Sequence, residues 1–162
     1  MSIEMGEREV DIKIRLATPD DSAAIAFVLA EAFVEYKSLY TEKGYAATTP
    51  PAEEIEKRFG NSLILVAVSG KEIVGTVSTV SQGSDINIRS MAVLPKARGQ
   101  KIGKELLGYI EDSALEKNYK RLTLSTTPFL DRAIRRYERF GFVRLGVDDL
   151  HGTPLITMAK TL

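Results

Sequence analysis

The stretch Met91-Ala92-Val93-Leu94-Pro95-Lys96-Ala97-Arg98-Gly99-Gln100-Lys101-Ile102-Gly103 decides how this chain folds. It reads as a buried strand, a short turn and a glycine-containing entry to a helix. Ile102, Leu106, Ile110 and Ala114 recur at helical spacing, so a helix from about Gln100 to Asn118 turns one apolar face to a sheet and a charged face to water. A strand that runs into such a helix must cross over to a parallel neighbour.

Outward from this unit the signals are regular. Leu63–Val68, Glu72–Ser81 and Asp85–Leu94 are β-rich runs separated by Ser69-Gly70-Lys71 and Gly83-Ser84, which predicts an antiparallel meander. Ile12–Ala17 alternates like a strand, and Thr18-Pro19-Asp20-Asp21 then starts a helix to about Ala32. Phe33–Thr49 reads as an aromatic-rich loop, and Pro50-Pro51 with the following acids opens a second helix ending near Gly60. On the other side come a strand at Arg121–Thr126, a helix at Pro128–Phe140 and a hairpin of Phe142–Asp149 with Thr153–Lys160, turning at His151-Gly152. The order β-α-α-β-β-β-α-β-α-β-β predicts an α/β (α+β) domain over residues 1–162, with a mixed, mostly antiparallel central sheet flanked by helices.

Composition narrows the chemistry. Within 162 residues there is no cysteine, which excludes disulfides, thiolate metal sites and a cysteine acyl-enzyme. The start, MSIEMGEREVDIKIR, has no apolar run, and no later stretch approaches a membrane span, so a cytoplasmic protein with no membrane partner is expected. Acids and bases balance at 22 each, which argues against non-specific nucleic-acid binding. The balance is uneven along the chain. Residues 1–60 hold twelve acids against seven bases, while Lys96, Arg98, Lys101 and Lys104 meet no acid and suit a small polyanion.

The entry to the long helix fits that polyanion. Backbone N–H groups at a helix N-terminus lack intrahelical partners, and with the helix dipole they attract an anion. Glycines let phosphate oxygens come close to the backbone, and the bases of the same turn make a diphosphate the natural guest. A Walker A loop fails here, because its first glycine would fall at Arg98 and its magnesium-binding hydroxyl at Glu105. A dinucleotide fingerprint fails as well, because Gly99 and Gly103 are four apart and follow three antiparallel strands.

The segment resembles the first signature of the GNAT superfamily of N-acetyltransferases, in which a Gln or Arg is followed after two residues by Gly and, after one more, by Gly or Ala. Arg98 and Gly103 match, and Lys101 stands where the first glycine is usual. Tyr137-Glu138-Arg139-Phe140-Gly141-Phe142 is similar to the family's second signature. The resemblance covers nearly the whole chain. It implies that acetyl-CoA is bound by the backbone of Met91, Ala92 and Val93 as an added strand, and by Arg98, Gly99, Gln100, Lys101, Ile102, Gly103 and Lys104 at its diphosphate. Thr126 and Leu130 would lie beside the same cofactor, Leu130 standing where an asparagine is common. Thr127 reads as the N-cap of the following helix, and Arg132, Arg135 and Arg136 as its exposed face with one near the ribose phosphate.

The resemblance also implies that Tyr137 protonates the departing thiolate; its other reading is a core tyrosine, since Leu130, Ala133 and Ile134 share its helix face. An attacking amine must be neutral, so a base is needed, and family members use a carboxylate of varying position. Glu35 is the choice here, because Phe33, Tyr36, Tyr40 and Tyr45 surround it in sequence. Phe33, Tyr36, Tyr40 and Asp85 are the expected acceptor-binding residues. His151, the sole histidine, sits in a turn and receives no catalytic role. The implied function is acetyl transfer to a primary amine of a small molecule or peptide by direct attack in a ternary complex. Protein N-terminal or lysine acetylation and a non-catalytic acyl-CoA sensor are the alternatives, and a homodimer is left open.

Overall fold

The structure is a computed structural model that describes residues 11–162. The alternating start expected before Asp11 lies outside the described residues. One seven-stranded sheet runs in the order β1-β2-β3-β4-β5-β7-β6, formed by β1 (Ile12–Leu16), β2 (Leu63–Ser69), β3 (Glu72–Gln82), β4 (Asp85–Val93), β5 (Arg121–Thr126), β6 (Val143–Leu150) and β7 (Thr153–Thr161). Only β4 and β5 are parallel, joined by the predicted crossover through the long helix. The remaining neighbours are antiparallel, as the short turns require.

Consecutive residues Ile64–Ala67 and Val74–Thr79 are buried apart from Gly75's missing side chain, so the sheet centre is covered on both faces. The covers are amphipathic. Helix α1 (Ser22–Phe33) buries Ile25, Val28, Leu29 and Ala32, and packs on β3 and β4 with α3 (Ala52–Arg58) beside it. Helix α4 (Ile102–Glu116) buries Ile102, Leu106, Leu107, Ile110 and Ala114 against β1 to β4. Helix α5 (Asp131–Phe140) contributes Ile134 and Tyr137 next to α4. Among the described residues no helix is long and apolar enough to cross a membrane.

Three local readings change. Phe33–Thr49 is helical rather than looped: a 3-10 turn over Val34–Leu39 leads into a short helix α2 (Glu42–Thr48). Thr41 caps α2 by accepting from the Gly44 amide at 3.0 Å, and it donates to the His151 carbonyl at 2.8 Å. The segment is therefore tied to the β6–β7 turn, where His151 and Gly152 both take positive φ, as a two-residue hairpin turn demands. Helix α4 starts at Ile102, not Gln100, because Lys101 is left-handed at φ 63° and ends the approach turn. Helix α5 starts at Asp131, and Thr127 does not cap it. The Thr127 carbonyl instead accepts from the Leu130 amide at 3.2 Å, closing a turn around Pro128-Phe129, and its buried hydroxyl has no hydrogen-bond partner.

Candidate active site

The site begins as a flaw in the sheet. Thr76 pairs with Ala92 and Ser78 with Arg89, so Ser90 and Met91 together face Val77, and Ser90 takes φ 51°. An extra residue of this kind bends its strand and raises the local twist. The parallel ladder with β5 runs from Asp85–Arg121 to Ile88–Leu124 and goes no further, while β5 continues through Thr126 paired to β7. From Arg89 to Val93 the β5-facing edge of β4 is thus unpaired, with backbone donors and acceptors available to an extended ligand. Met91, Ala92 and Val93 form that edge.

Beyond Val93 the chain makes a 3-10 turn at Pro95–Ala97 and enters α4 through Gly99 at φ 86° and Lys101 at φ 63°. The first intrahelical bond is donated by the Glu105 amide to the Lys101 carbonyl at 3.0 Å, which leaves the amides of Ile102, Gly103 and Lys104 pointing outward. They face a cleft of about 750 Å³ whose cationic walls are Arg98, Lys101 and Lys104 on one side and Arg132, Arg135, Arg136 and Arg139 on the other. No acid lines it. Arg136 lies directly over Gly103, where a Cβ would stand 2.8 Å from its Nε. The four α5 arginines form one cationic wall of the cleft, with Arg132, Arg135 and Arg139 exposed, as expected of this helix face, and Arg136 half-buried. Their spacing at 132, 135, 136 and 139 is one helix stripe, and that was the available sequence signal. Gln100 borders the loop between the two left-handed residues but does not line the cleft.

Arg98 ties the cationic cleft to the other side of β4. Its Nη1 stands 2.6 Å from Glu35 Oε1 and its Nη2 donates to the Ala32 carbonyl at 3.1 Å, anchoring the end of α1. The expected base and an expected cofactor ligand are thus one ion pair. Glu35 remains 42% exposed, so water and solutes reach it.

Tyr137 is buried at 7% exposure and packs edge-on to Phe142 with centroids 5.8 Å apart. Burial pushes its phenol pKa up, the Arg136 charge pulls the other way, and no hydrogen bond contributes. The proton is held firmly at neutral pH. Phe33 packs partly buried against the core. Tyr36 and Tyr40 meet Phe129 at 6.0 and 4.9 Å, docking the 3-10 turn after α1 on the β5–α5 turn. Tyr40, at 9% exposure, is mainly an anchor whose burial raises its pKa; its hydroxyl approaches Thr127 without completing a hydrogen bond at Thr127 Oγ1. Thr126 is buried at the end of β5, and Leu130 lies half-buried at the entry to α5.

Asp85 is corrected. It opens β4 at the end opposite Val93, roughly 26 Å away at the rise of a strand. There it forms a two-pronged pair with Arg121, at 2.8 Å through Nη2 and 3.3 Å through Nε, which holds its carboxyl below the usual carboxylate range. It is a cross-strand tie and stands apart from the other acceptor-side residues.

The model of the acetyltransferase (GNAT) family matches residues 18–142. The chain belongs to this family. It is a GNAT-type acyltransferase, and the bulged β4 and cationic helix entry are the parts of the fold that suit an acyl-CoA. An uncharacterized N-acetyltransferase, YjgM, of Escherichia coli K12 is 33% identical over 135 residues, 80% of each chain. An N-acetylaspartate synthetase of Danio rerio is 33% identical over 98 residues, which are 59% of this chain and 35% of that protein. Among solved structures, the PaiA N-acetyltransferase of Thermoplasma acidophilum in complex with coenzyme A superposes with a TM-score of 0.78 at 20% identity, covering 94% of this chain and 99% of that one.

Proposed function

We propose that this enzyme transfers an acetyl group from acetyl-CoA to a primary amine by direct attack within a ternary complex. The observation that carries the reading is the unpaired β4 edge at Met91–Val93, running straight into a cleft with seven cationic side chains and no acid. An elongated ligand with a peptide-like arm and a polyphosphate head matches both halves in order. When bound, acetyl-CoA supplies a thioester whose acyl carbon accepts the amine nitrogen as its carbon–sulfur bond breaks. Backbone groups of Met91, Ala92 and Val93 hold the arm. The amides of Ile102, Gly103 and Lys104, with Arg98, Lys101 and Arg136, hold the diphosphate. Glu35 takes a proton from the acceptor's ammonium through water, which frees the amine to attack, and its pairing with Arg98 holds it in place. Tyr137 gives its phenolic proton to the leaving sulfur, and its burial keeps that proton available over the neutral range. As to the acceptor, the zebrafish relative is named for an acetylated amino acid, and a small acceptor is the reading adopted here over a polypeptide.

Calorimetry with coenzyme A, ATP and NAD tests the binding half of this proposal, and thiol release from acetyl-CoA in the presence of an amine panel tests the chemistry. Coenzyme A should bind, more weakly as salt rises, with no comparable binding of ATP or NAD. Preference for either nucleotide would remove the cofactor assignment.

A further inference from the structure

We propose that Arg58 and Arg89 form a binding site for a carboxylate of the acceptor, so that the amine acetylated by this enzyme belongs to a molecule carrying a carboxylate close to that amine, such as an amino acid. The inference rests on the reading of β4 as the cofactor's strand partner and adds the substrate class to it.

Chain direction fixes the place. With the phosphates at Arg98–Lys104 and the arm along Val93 to Met91, the thioester end arrives at the bulge, beside Ser90. Arg58, at the end of α3, reaches that residue: its Nη1 donates to Ser90 Oγ at 2.9 Å. One donor of five is used there, and the planar fork keeps the others for a second partner. Arg89 stands next in the strand, its Nε fixed on Asn87 Oδ1 at 2.7 Å, while Asn87 is itself fastened to Thr123 at 2.9 Å.

These guanidinium groups repel one another, and Arg58 is half-buried. Desolvation draws its pKa down, Arg89 adds to that effect, and Glu54 opposes it. Neither arginine forms an ion pair with an acid among the described residues. Glu54, the acid whose charge reaches Arg58, pairs instead with Lys57 at 3.5 Å. A half-desolvated cation held beside a second cation, with only the exposed Glu54 to offset it, is stabilised by a ligand that brings a further anion. A carboxylate is the anion whose two oxygens match a guanidinium edge. Arg58 also lines an open cleft of about 420 Å³ with Ala46, Ala47, Pro50 and Pro51, in which Lys57 and Glu54 are the other charged walls.

The structural alternative is that Arg58 only steadies the bulge through Ser90. The two roles separate when each L-amino acid is compared with its own α-carboxamide, which keeps the amine and side chain and loses one charge. With acetyl-CoA and a thiol-release assay, the best acceptor should be an amino acid, favoured over its carboxamide by about 10- to 100-fold in kcat/KM, the difference lying in KM. Arg58→Gln should bring that ratio close to one, Arg58→Lys should keep part of it, and Arg89→Gln should narrow it. A bulge-steadying role would lower both substrates together and leave the ratio intact. The wild-type enzyme gives an arm independent of variant folding: the N-acetyl amino acid should compete with the acceptor, and its carboxamide should not. Equal turnover of acids and carboxamides, or a ratio that survives Arg58→Gln in a folded variant, would overturn the site while leaving the transferase reading standing. Coenzyme A binding with no thiol release on any amine would bring down both.

Discussion

The two sides of the β4 bulge recognise their ligands by opposite means. On the α4 side, unpaired backbone groups and seven cations surround a wide cleft, and of these seven Arg98 alone pairs with an acid among the described residues. On the α1 and α3 side the groups named for the site are committed: Glu35 to Arg98, Arg58 to Ser90, and the rings of Tyr36 and Tyr40 to Phe129. Redundant charge suits a ligand that is the same in every turnover. Committed geometry suits selection among acceptors, where a misplaced group must be rejected. Tyr137, on α5, is the proposed acid for the chemistry that joins them.

The largest effect is therefore expected at that junction. Tyr137→Phe keeps the ring that meets Phe142 and removes one hydroxyl that no hydrogen bond restrains. Turnover should fall on the order of 10²- to 10⁴-fold in kcat with coenzyme A affinity almost unchanged. The raised phenol pKa also has a sign. A folded-state pKa above the unfolded one gives stability that is full below about pH 10 and is lost as pH rises through the higher folded value, so alkaline melts should separate wild type from Tyr137→Phe only above that point. An active variant that loses only stability would leave Tyr137 as a core residue.

The redundant side should respond less to any one change. A Cβ at Gly103 would meet only the end of the Arg136 side chain, which can move aside, and a carboxylate at a helix N-terminus is favoured by the dipole. Gly103→Asp should therefore keep or slightly raise thermal stability while weakening coenzyme A binding by about tenfold or more, since the new carboxylate would take Arg136 and repel the diphosphate. Arg136→Ala should weaken binding by several-fold with a flatter salt dependence. Unchanged affinity in both variants would place the phosphates outside this cleft and erase the contrast between the two sides.

What the sequence disclosed follows the same division. Strands, the crossover and the turn into α4 were legible because each is set by local signals: alternation, short glycine turns, and a glycine-bearing helix start. The arginine stripe of α5 was legible in spacing, although its partner surface across the cleft was not. The bulge at Ser90 carries no local mark, since its left-handed residue is a serine and the neighbouring strand imposes the extra residue. The pairing of Arg98 with Glu35 joins residues 63 positions apart, and the helix α2 owes its stability to Thr41 meeting the far β6–β7 turn. Long-range partners, not weak propensities, account for each of these misses, and Asp85 failed for the same reason, being claimed by Arg121 across the sheet.

The smallest predicted effect tests how the cationic side tolerates strain. Lys101 occupies a left-handed conformation at φ 63° and ψ 22°, which costs a residue with a Cβ about 1 kcal/mol and costs glycine almost nothing. Lys101 meanwhile lines the cationic cleft proposed to take the diphosphate. Local backbone energy thus opposes the lysine and ligand electrostatics favour it. Lys101→Gly should raise unfolding stability by up to about 1 kcal/mol, or roughly 2–4 °C in the midpoint for a domain of this size, since relief of strain outweighs the extra freedom glycine gains in the unfolded chain. The same variant should bind coenzyme A several-fold more weakly at low salt and converge on wild type at high salt, where a single exposed charge is screened. Lys101→Ala isolates the two terms, because it removes the charge and keeps the Cβ: it should share the weaker binding without the gain in stability. If Lys101→Gly gains no stability over Lys101→Ala, the turn into α4 is not strained at this position, and the lysine is there at no conformational cost.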